Sequence, residues 1–215
     1  YCKQDCEVEY EVFRRLRQLP EMEQEVWRVD QIINRRGVAI DTTLVREAMR
    51  VGEEQQKRFK EEMKELVGCS PNQVATILTR LNGEGVPLNE LTKDSVLKAL
   101  AGELPPKVRR VLEIRQSSAR TSAKKYAAME KRVSADGRAR SLFMYHAATT
   151  GRWGGKSIQP QNMPSRGVIS DPDEAIKVIS RGASAEEIEF LWGDTMQVLS
   201  SCTRGAIIAP PGKDL

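Results

Sequence analysis

Apolar residues recur at helical spacing along most of this chain. Val8, Val12 and Leu16 predict a helix from Tyr1 to Arg17, which the run Gln18-Leu19-Pro20 breaks. Met22, Val26, Val29 and Ile33 share one face of a second helix over about Glu21–Arg36, and Gly37 suits its C-terminal cap. "VAID" is a short extended piece whose Asp41 can cap the next helix. Leu44, Ala48, Val51, Phe59, Met63 and Leu66 trace that helix, long and amphipathic, to about Val67, where Gly68 stops it. Ser70-Pro71 reads as an N-cap and first helical position, opening a short helix with Val74, Ile77, Leu78 and Leu81 inward. "NGEGVP" is a turn, and another short helix follows Thr92 and closes at Gly102.

Residues 105–133 predict a second long helix whose inner seam is Val108, Val111, Leu112, Arg115, Ala119, Ser122, Tyr126, Met129 and Val133. Two long helices joined through a small helical tip form an antiparallel projecting hairpin. Beyond the turn "SADGRAR", the stretch "SLFMYHAA" alternates as a strand does. Asp171-Pro172 starts a short helix ending at Gly182, and Ser184 with Glu187 forms a capping box for another, with Ile188, Leu191, Met196 and Leu199 inward. "GAIIAP" is a final strand. The expected class is mainly α with a small β component, α+β, with no internal repeat or low-complexity tract.

The chain has 215 residues, 40% hydrophobic and 30% charged, with a net charge of +4. The charge is uneven. Residues 105–140 hold eleven Lys and Arg against three acids, a local +8 that leaves the remainder mildly acidic. A basic segment on such a body is either a solvated helix face or a surface for a polyanion. Cys2, Cys6, Cys69 and Cys202 lack the paired spacing of a zinc site, and His146 is the sole histidine, so reduced cytosolic thiols are expected. No apolar run approaches the roughly 20 residues that span a bilayer, so no membrane partner is expected. The start at Tyr1 and the strand-like approach at "APPGKDL" are those of a cut segment.

Three stretches carry candidate chemistry. In "SSARTSAKKY", small residues permit close backbone approach, hydroxyls donate to phosphate oxygens and cations neutralise them. In "TTGRWGGKSIQPQNMPSR", Gly151 allows a sharp turn before Arg152, whose guanidinium suits the purine N3 and pyrimidine O2 acceptors that every base pair shows in the minor groove. Arg166 there is able to meet a phosphate bidentately, and Gln161 and Asn162 offer amide donors and acceptors. The alternative is a glycine-rich loop whose amides serve only its own backbone. In "YCKQD", Tyr1 and Asp5 lie one helical turn apart, a phenol and a carboxylate suited to metal-assisted phosphodiester hydrolysis, although the spacing is common by chance.

Taken in order, these pieces resemble family A DNA polymerases, the DNA polymerase I type. "ATTGRWGGKSIQPQNMPSR" is similar to the family's TGR(L/W) and QN-(hydrophobic)-P-x-R motif. "TRGAIIAPPG" resembles its R-x-x-F-x-A-x-x-G run, with Arg204, Ala209 and Gly212 matching and Ile207 in place of Phe. "RRGVAID" resembles the segment preceding the thumb, "RQSSARTSAKKY" the thumb helix, and "YCKQD" the third motif of the 3′–5′ proofreading exonuclease. Trp153 after Gly-Arg and the long interval between Arg166 and Arg204 are closer to phage-type members.

The resemblance implies four parts: residues 1–18 as the last helix of an exonuclease domain, 19–41 as palm entry, 42–136 as thumb and 137–215 as an incomplete palm. It implies duplex contacts from Arg120, Thr121, Ser122, Lys124 and Lys125, and a minor-groove contact from Arg152. It places Gln161 and Asn162 at the primer–template site and Arg166 near the phosphates of the incoming nucleotide. Tyr1 and Asp5 would be an exonuclease remnant, with Asp5 its metal ligand. The implied partners are primer–template DNA and deoxynucleoside triphosphate, with Mg²⁺ in the complete enzyme, in the cytoplasm of a bacterial or phage-infected cell. The resemblance leaves any processivity or replisome partner open. The first palm carboxylate of the family lies beyond Leu215, so the separate chain is expected to be inactive in polymerisation and in proofreading. Two other readings stand beside this one: a non-catalytic duplex-binding helical module, and a remnant of a nuclease alone.

Overall fold

The structure, a computed structural model, describes residues 2–119, 122–163, 169–209 and 212–213. It is mainly α-helical with a few short strands, as expected. The order is α1 (Cys2–Arg15), α2 (Glu21–Arg36), β1 (Val38–Ile40), α3 (Thr42–Val67), α4 (Val74–Gly83), α5 (Lys93–Leu100), α6 (Pro106–Ser118), α7 (Ser122–Arg132), β2 (Arg138–Ala139), β3 (Phe143–Met144), β4 (Gly154–Gly155), α8 (Pro172–Ser180), α9 (Ala185–Trp192), α10 (Thr195–Cys202) and β5 (Ile207–Ile208).

Helix α3 is the axis of the molecule. Asp41 caps it by accepting from the backbone N–H groups of Thr43 and Leu44 at 3.0 and 2.9 Å, a contribution of about 1 kcal/mol. Gly68, in the left-handed region, ends it by donating to the Lys64 carbonyl. Its apolar stripe is buried from Leu44 to Met63, as the spacing predicts. Helices α6 and α7 run back antiparallel along it. Gln56 donates to the Ser118 carbonyl at 3.3 Å, and further out Arg110 holds Glu62 with two hydrogen bonds of 2.6 and 2.8 Å. The α4–α5 tip closes the hairpin through buried Ile77, Leu81 and Val96. Helices α8, α9 and α10 also pack on α3, and α10 on α6 and α7, so the hairpin base and the later helices share one core. Tyr126, fully buried between them, donates its hydroxyl to the Leu199 carbonyl at 2.7 Å.

A three-stranded antiparallel sheet of order β2-β1-β5 joins the segment before α3 to the chain beyond α7. Strands β3 and β4 form a separate hairpin, pairing Phe143 with Gly155 and Met144 with Gly154.

Several local expectations are corrected. The helix expected over 105–133 is two helices, α6 ending at Ser118 and α7 starting at Ser122. The run Ser117-Ser118-Ala119 explains the stop: hydroxyls compete for backbone groups, and Ser118 donates to the Arg115 carbonyl at 3.2 Å. Ala119, expected on the inner seam, is exposed. Ser70 caps nothing; its N–H donates to Gln73 Oε1 at 2.8 Å, and the helix begins only at Val74. Ser184 does accept from the Glu187 N–H, but the Glu187 carboxylate turns to Arg181 at 2.5 Å instead of closing the capping box. "SLFMYHAA" keeps only Phe143 and Met144 as strand, since His146 takes a positive φ of 50°. Leu191 is 47% exposed. Both α1 and α2 are helices as predicted; Val8 and Val12 on α1, Leu16 just beyond it, and Met22, Val26 and Val29 on α2 are exposed.

Candidate nucleic-acid interface

The basic run 105–140 divides into cations held by the fold and cations that are not. Lys107 pairs with Glu84 at 2.6 Å, and Arg109 donates to the carbonyls of Leu100 and Gly102. The Glu62 hydrogen bonds raise the Arg110 pKa further above its ordinary value. Arg138 donates to the carbonyls of Arg36 and Gly37 at 2.7 and 2.9 Å, and Arg140 to that of Arg35 at 2.9 Å. Together they satisfy the carbonyls of Arg35 and Arg36 at the end of α2, which have no partner within the helix, and that of Gly37 just beyond it. Arg140 also grips Asp136 at 2.9 and 2.5 Å, which lowers the Asp136 carboxyl to about 2. Much of the local positive charge is therefore structural.

Lys124, Lys131 and Arg132 are exposed on α7, and their side chains make no hydrogen bond or ion pair among the described residues. Lys125, half-buried, instead donates to the Ile158 carbonyl at 2.8 Å. That bond joins α7 to the glycine-rich segment, the two stretches singled out as phosphate-binding and groove-binding. The first of these stretches is only partly visible, because Arg120 and Thr121 lie outside the described residues, as do Tyr1, Arg166 and Asp214, and of Ser122 only the backbone is described.

Arg152 sits at the end of the β3–β4 hairpin. Its carbonyl accepts from Ala148 N–H at 3.2 Å, and Gly151 N–H donates to the Ala148 carbonyl at 2.9 Å. Gly151 has φ +76°, which the turn requires and a side chain would strain. A Cβ on Gly154 would stand 2.6 Å from the Ala147 Cβ, so the hairpin closes only with glycine there. Trp153 stacks obliquely on Phe143, ring centroids 6.5 Å apart. The Arg152 guanidinium is exposed and makes no hydrogen bond or ion pair among the described residues.

The hairpin is braced on α2, a link that no local sequence pattern signals. The Asn34 side chain closes on the backbone of Phe143 from both sides: Oδ1 accepts from its N–H at 3.0 Å, and Nδ2 donates to its carbonyl at 3.1 Å. The Ser141 N–H donates to the Asn34 carbonyl at 3.2 Å, and the Tyr145 hydroxyl donates to Glu23. Behind Asn34 lies Asp30, 2% exposed, whose Oδ2 accepts from Asn34 Nδ2 and Gln31 Nε2, both at 3.1 Å. Asp30 Oδ1 is buried and has no hydrogen-bond partner among the described residues. Trp27, Asp30, Asn34, Phe143, Tyr145 and Lys156 wall an open pocket of about 370 Å³.

Beyond β4, Ile158 and Met163 are buried anchors and Gln161 and Asn162 are exposed between them. Asn162 Nδ2 donates to Gln159 Oε1 at 3.0 Å. Asp5 is exposed on α1, and among the described residues no three His, Cys, Asp or Glu side chains converge as a metal site would require. The described residues alone do not assemble the donor set of a divalent-cation site. No described helix is long and apolar enough to cross a membrane.

The chain is 38% identical, over an alignment of 218 positions covering all of it, to the DNA polymerase of Bacillus phage SP02. It spans 33% of that relative's length. No protein-family model and no solved structure matches it. The chain is thus a homologue of part of a phage DNA polymerase.

Proposed function

We propose that this homologue of one third of a phage DNA polymerase is the duplex-gripping segment of a family A enzyme. Residues 1–18 would end an exonuclease domain, 19–41 enter the palm, 42–136 form the thumb and 137–215 begin the palm. The sheet in which β1 is flanked by β2 and β5 supports placing 19–41 with 137–215. The boundary at 136 follows chain direction only, because α8–α10 pack against α3.

One observation carries the reading: Arg152 is exposed and unpaired among the described residues, at the end of a hairpin otherwise fixed by hydrogen bonds. The fixed backbone turn places the guanidinium outward, and its planar fork of donors suits planar acceptors. It would donate to purine N3 and pyrimidine O2 at the primer terminus, testing pair shape without reading sequence. Lys124 would neutralise backbone phosphates from α7, with Arg120, Thr121 and Ser122 adding contacts in the same run. Lys125 would serve the duplex indirectly, holding the glycine-rich segment against the helix. Gln161 and Asn162 would shape the primer–template site and Arg166 would meet the nucleotide's phosphates. Asp5, with Tyr1, would complete an exonuclease site whose other ligands lie elsewhere. In the full-length protein a divalent cation, Mg²⁺ in this proposal, would assist transfer of a deoxynucleotide to the primer 3′ end.

Titrating primer–template duplex into the full-length protein at several salt concentrations tests this. Affinity should fall linearly in log–log form with salt and be indifferent to sequence. Binding that is insensitive to salt, or restricted to one sequence, would overturn it.

A further inference from the structure

We infer that Asp30 and Asn34 are positioning residues for Arg152, acting through the backbone of Phe143; this rests on the proposed minor-groove role of Arg152. A carboxamide is symmetric enough to be turned over, and the turned form would face the Phe143 N–H with a donor and its carbonyl with an acceptor. Both Phe143 hydrogen bonds would then be lost at once. Asp30 Oδ2 prevents this, since it accepts from Asn34 Nδ2 and so selects the orientation that closes on Phe143. Phe143 pairs with Gly155, two residues past Trp153, and its ring packs on Trp153 beside Arg152. The chain of contacts from Asp30 to the guanidinium-bearing turn is therefore continuous.

A carboxylate almost wholly out of water, with one oxygen lacking any partner among the described residues, is costly to keep. An apolar residue would be cheaper in that place if packing were its purpose. Its use as a directed acceptor accounts for its presence. The acceptor matters here rather than the charge, so asparagine should substitute for it: the carbonyl oxygen would replace Oδ2 and the amide nitrogen would take the place of the idle oxygen.

Two measurements on the full-length protein test the inference. Amide hydrogen exchange reads the clasp itself. Asn34→Ala and Asp30→Ala should speed exchange across residues 143–155, while Asp30→Asn should leave it near the parent rate. Unchanged exchange in Asn34→Ala, or opening in Asp30→Asn equal to that in Asp30→Ala, would overturn it. Primer extension reads the consequence. Asn34→Ala should lower kcat/KM by about tenfold, as small misplacements of a positioned group do. That loss should vanish when Arg152 is already alanine, because the two residues act as one unit. Additive losses would overturn the clasp and leave the role of Arg152 intact. No loss from Arg152→Ala alone would overturn that role, and with it the positioning.

Discussion

The Lys125 ammonium lies 2.8 Å from the Ile158 carbonyl oxygen, so the cation next to exposed Lys124 faces the protein and not the solvent. Adjacent lysines on one helix thereby separate into different roles. Lys124→Ala should weaken duplex binding for all sequences alike and reduce the slope of log affinity against log salt by about 1. Lys125→Met should leave that slope nearly unchanged while exchange of the amides in 156–163 speeds up. Equal effects of the two on the salt slope would refute the division.

Arg152→Ala in the full-length protein should slow primer extension, by about tenfold or more from mismatched termini, corresponding to about 1.4 kcal/mol. Single-turnover extension from matched and mismatched primers measures it. An unaltered rate from both would remove the minor-groove contact.

Most helices were legible in the sequence through their apolar stripes, and the clearest carry a capping residue and a stop as well, as in Asp41, the Leu44–Met63 face and Gly68. The hairpin around Arg152 was legible as a turn but not as a braced one. Its braces come from Asn34 and Asp30, more than a hundred residues earlier, and no local pattern announces such a bond. The break between Ser118 and Ser122 was signalled by consecutive hydroxyls, which periodicity alone passes over. The basic run overstated the free positive charge, since composition cannot distinguish Arg138 and Arg140 on helix carbonyls from Lys124 in solvent. The apolar stripes of α1 and α2 predicted helices correctly but said nothing of burial, because a stripe says which face seeks cover and not whether this chain supplies it.

Tyr126→Phe should destabilise the fold by only about 1 kcal/mol. The hydroxyl it removes serves the Leu199 carbonyl, which also accepts from Thr203 Oγ1 at 3.2 Å and so is not orphaned. Urea denaturation with an unchanged m-value checks this; a loss several times larger would mean that Thr203 does not compensate.

The carboxyl of Asp136 should titrate at about 2, lowered chiefly by its hydrogen bonds from Arg140. Its folded value lies below its unfolded one, so this pair's contribution is complete above about pH 4 and is lost as pH falls towards 2. Carboxyl carbon shifts followed by NMR read the midpoint directly. Titration near the ordinary 3.8 would show that the pair is open in solution.

Thiol chemistry should divide the cysteines in two. Cys2 and Cys6 are exposed and should react with a disulfide reagent at neutral pH, whereas Cys69 and Cys202 are buried. Burial pushes the Cys202 thiol up to about 12 and raises that of Cys69, so neither supplies thiolate until the fold opens. Four fast thiols in the native protein would contradict this arrangement.

Strand β1 is the middle member of its sheet, yet both of its neighbours are made long after it, at 138–139 and 207–208. A ribosome working at roughly 5–20 residues per second leaves it without β5 for roughly 10–30 s. The α3–α7 hairpin has all its pieces well before then, but the α8–α10 face that shares its core arrives only afterwards, so hairpin, core and sheet are completed in that order.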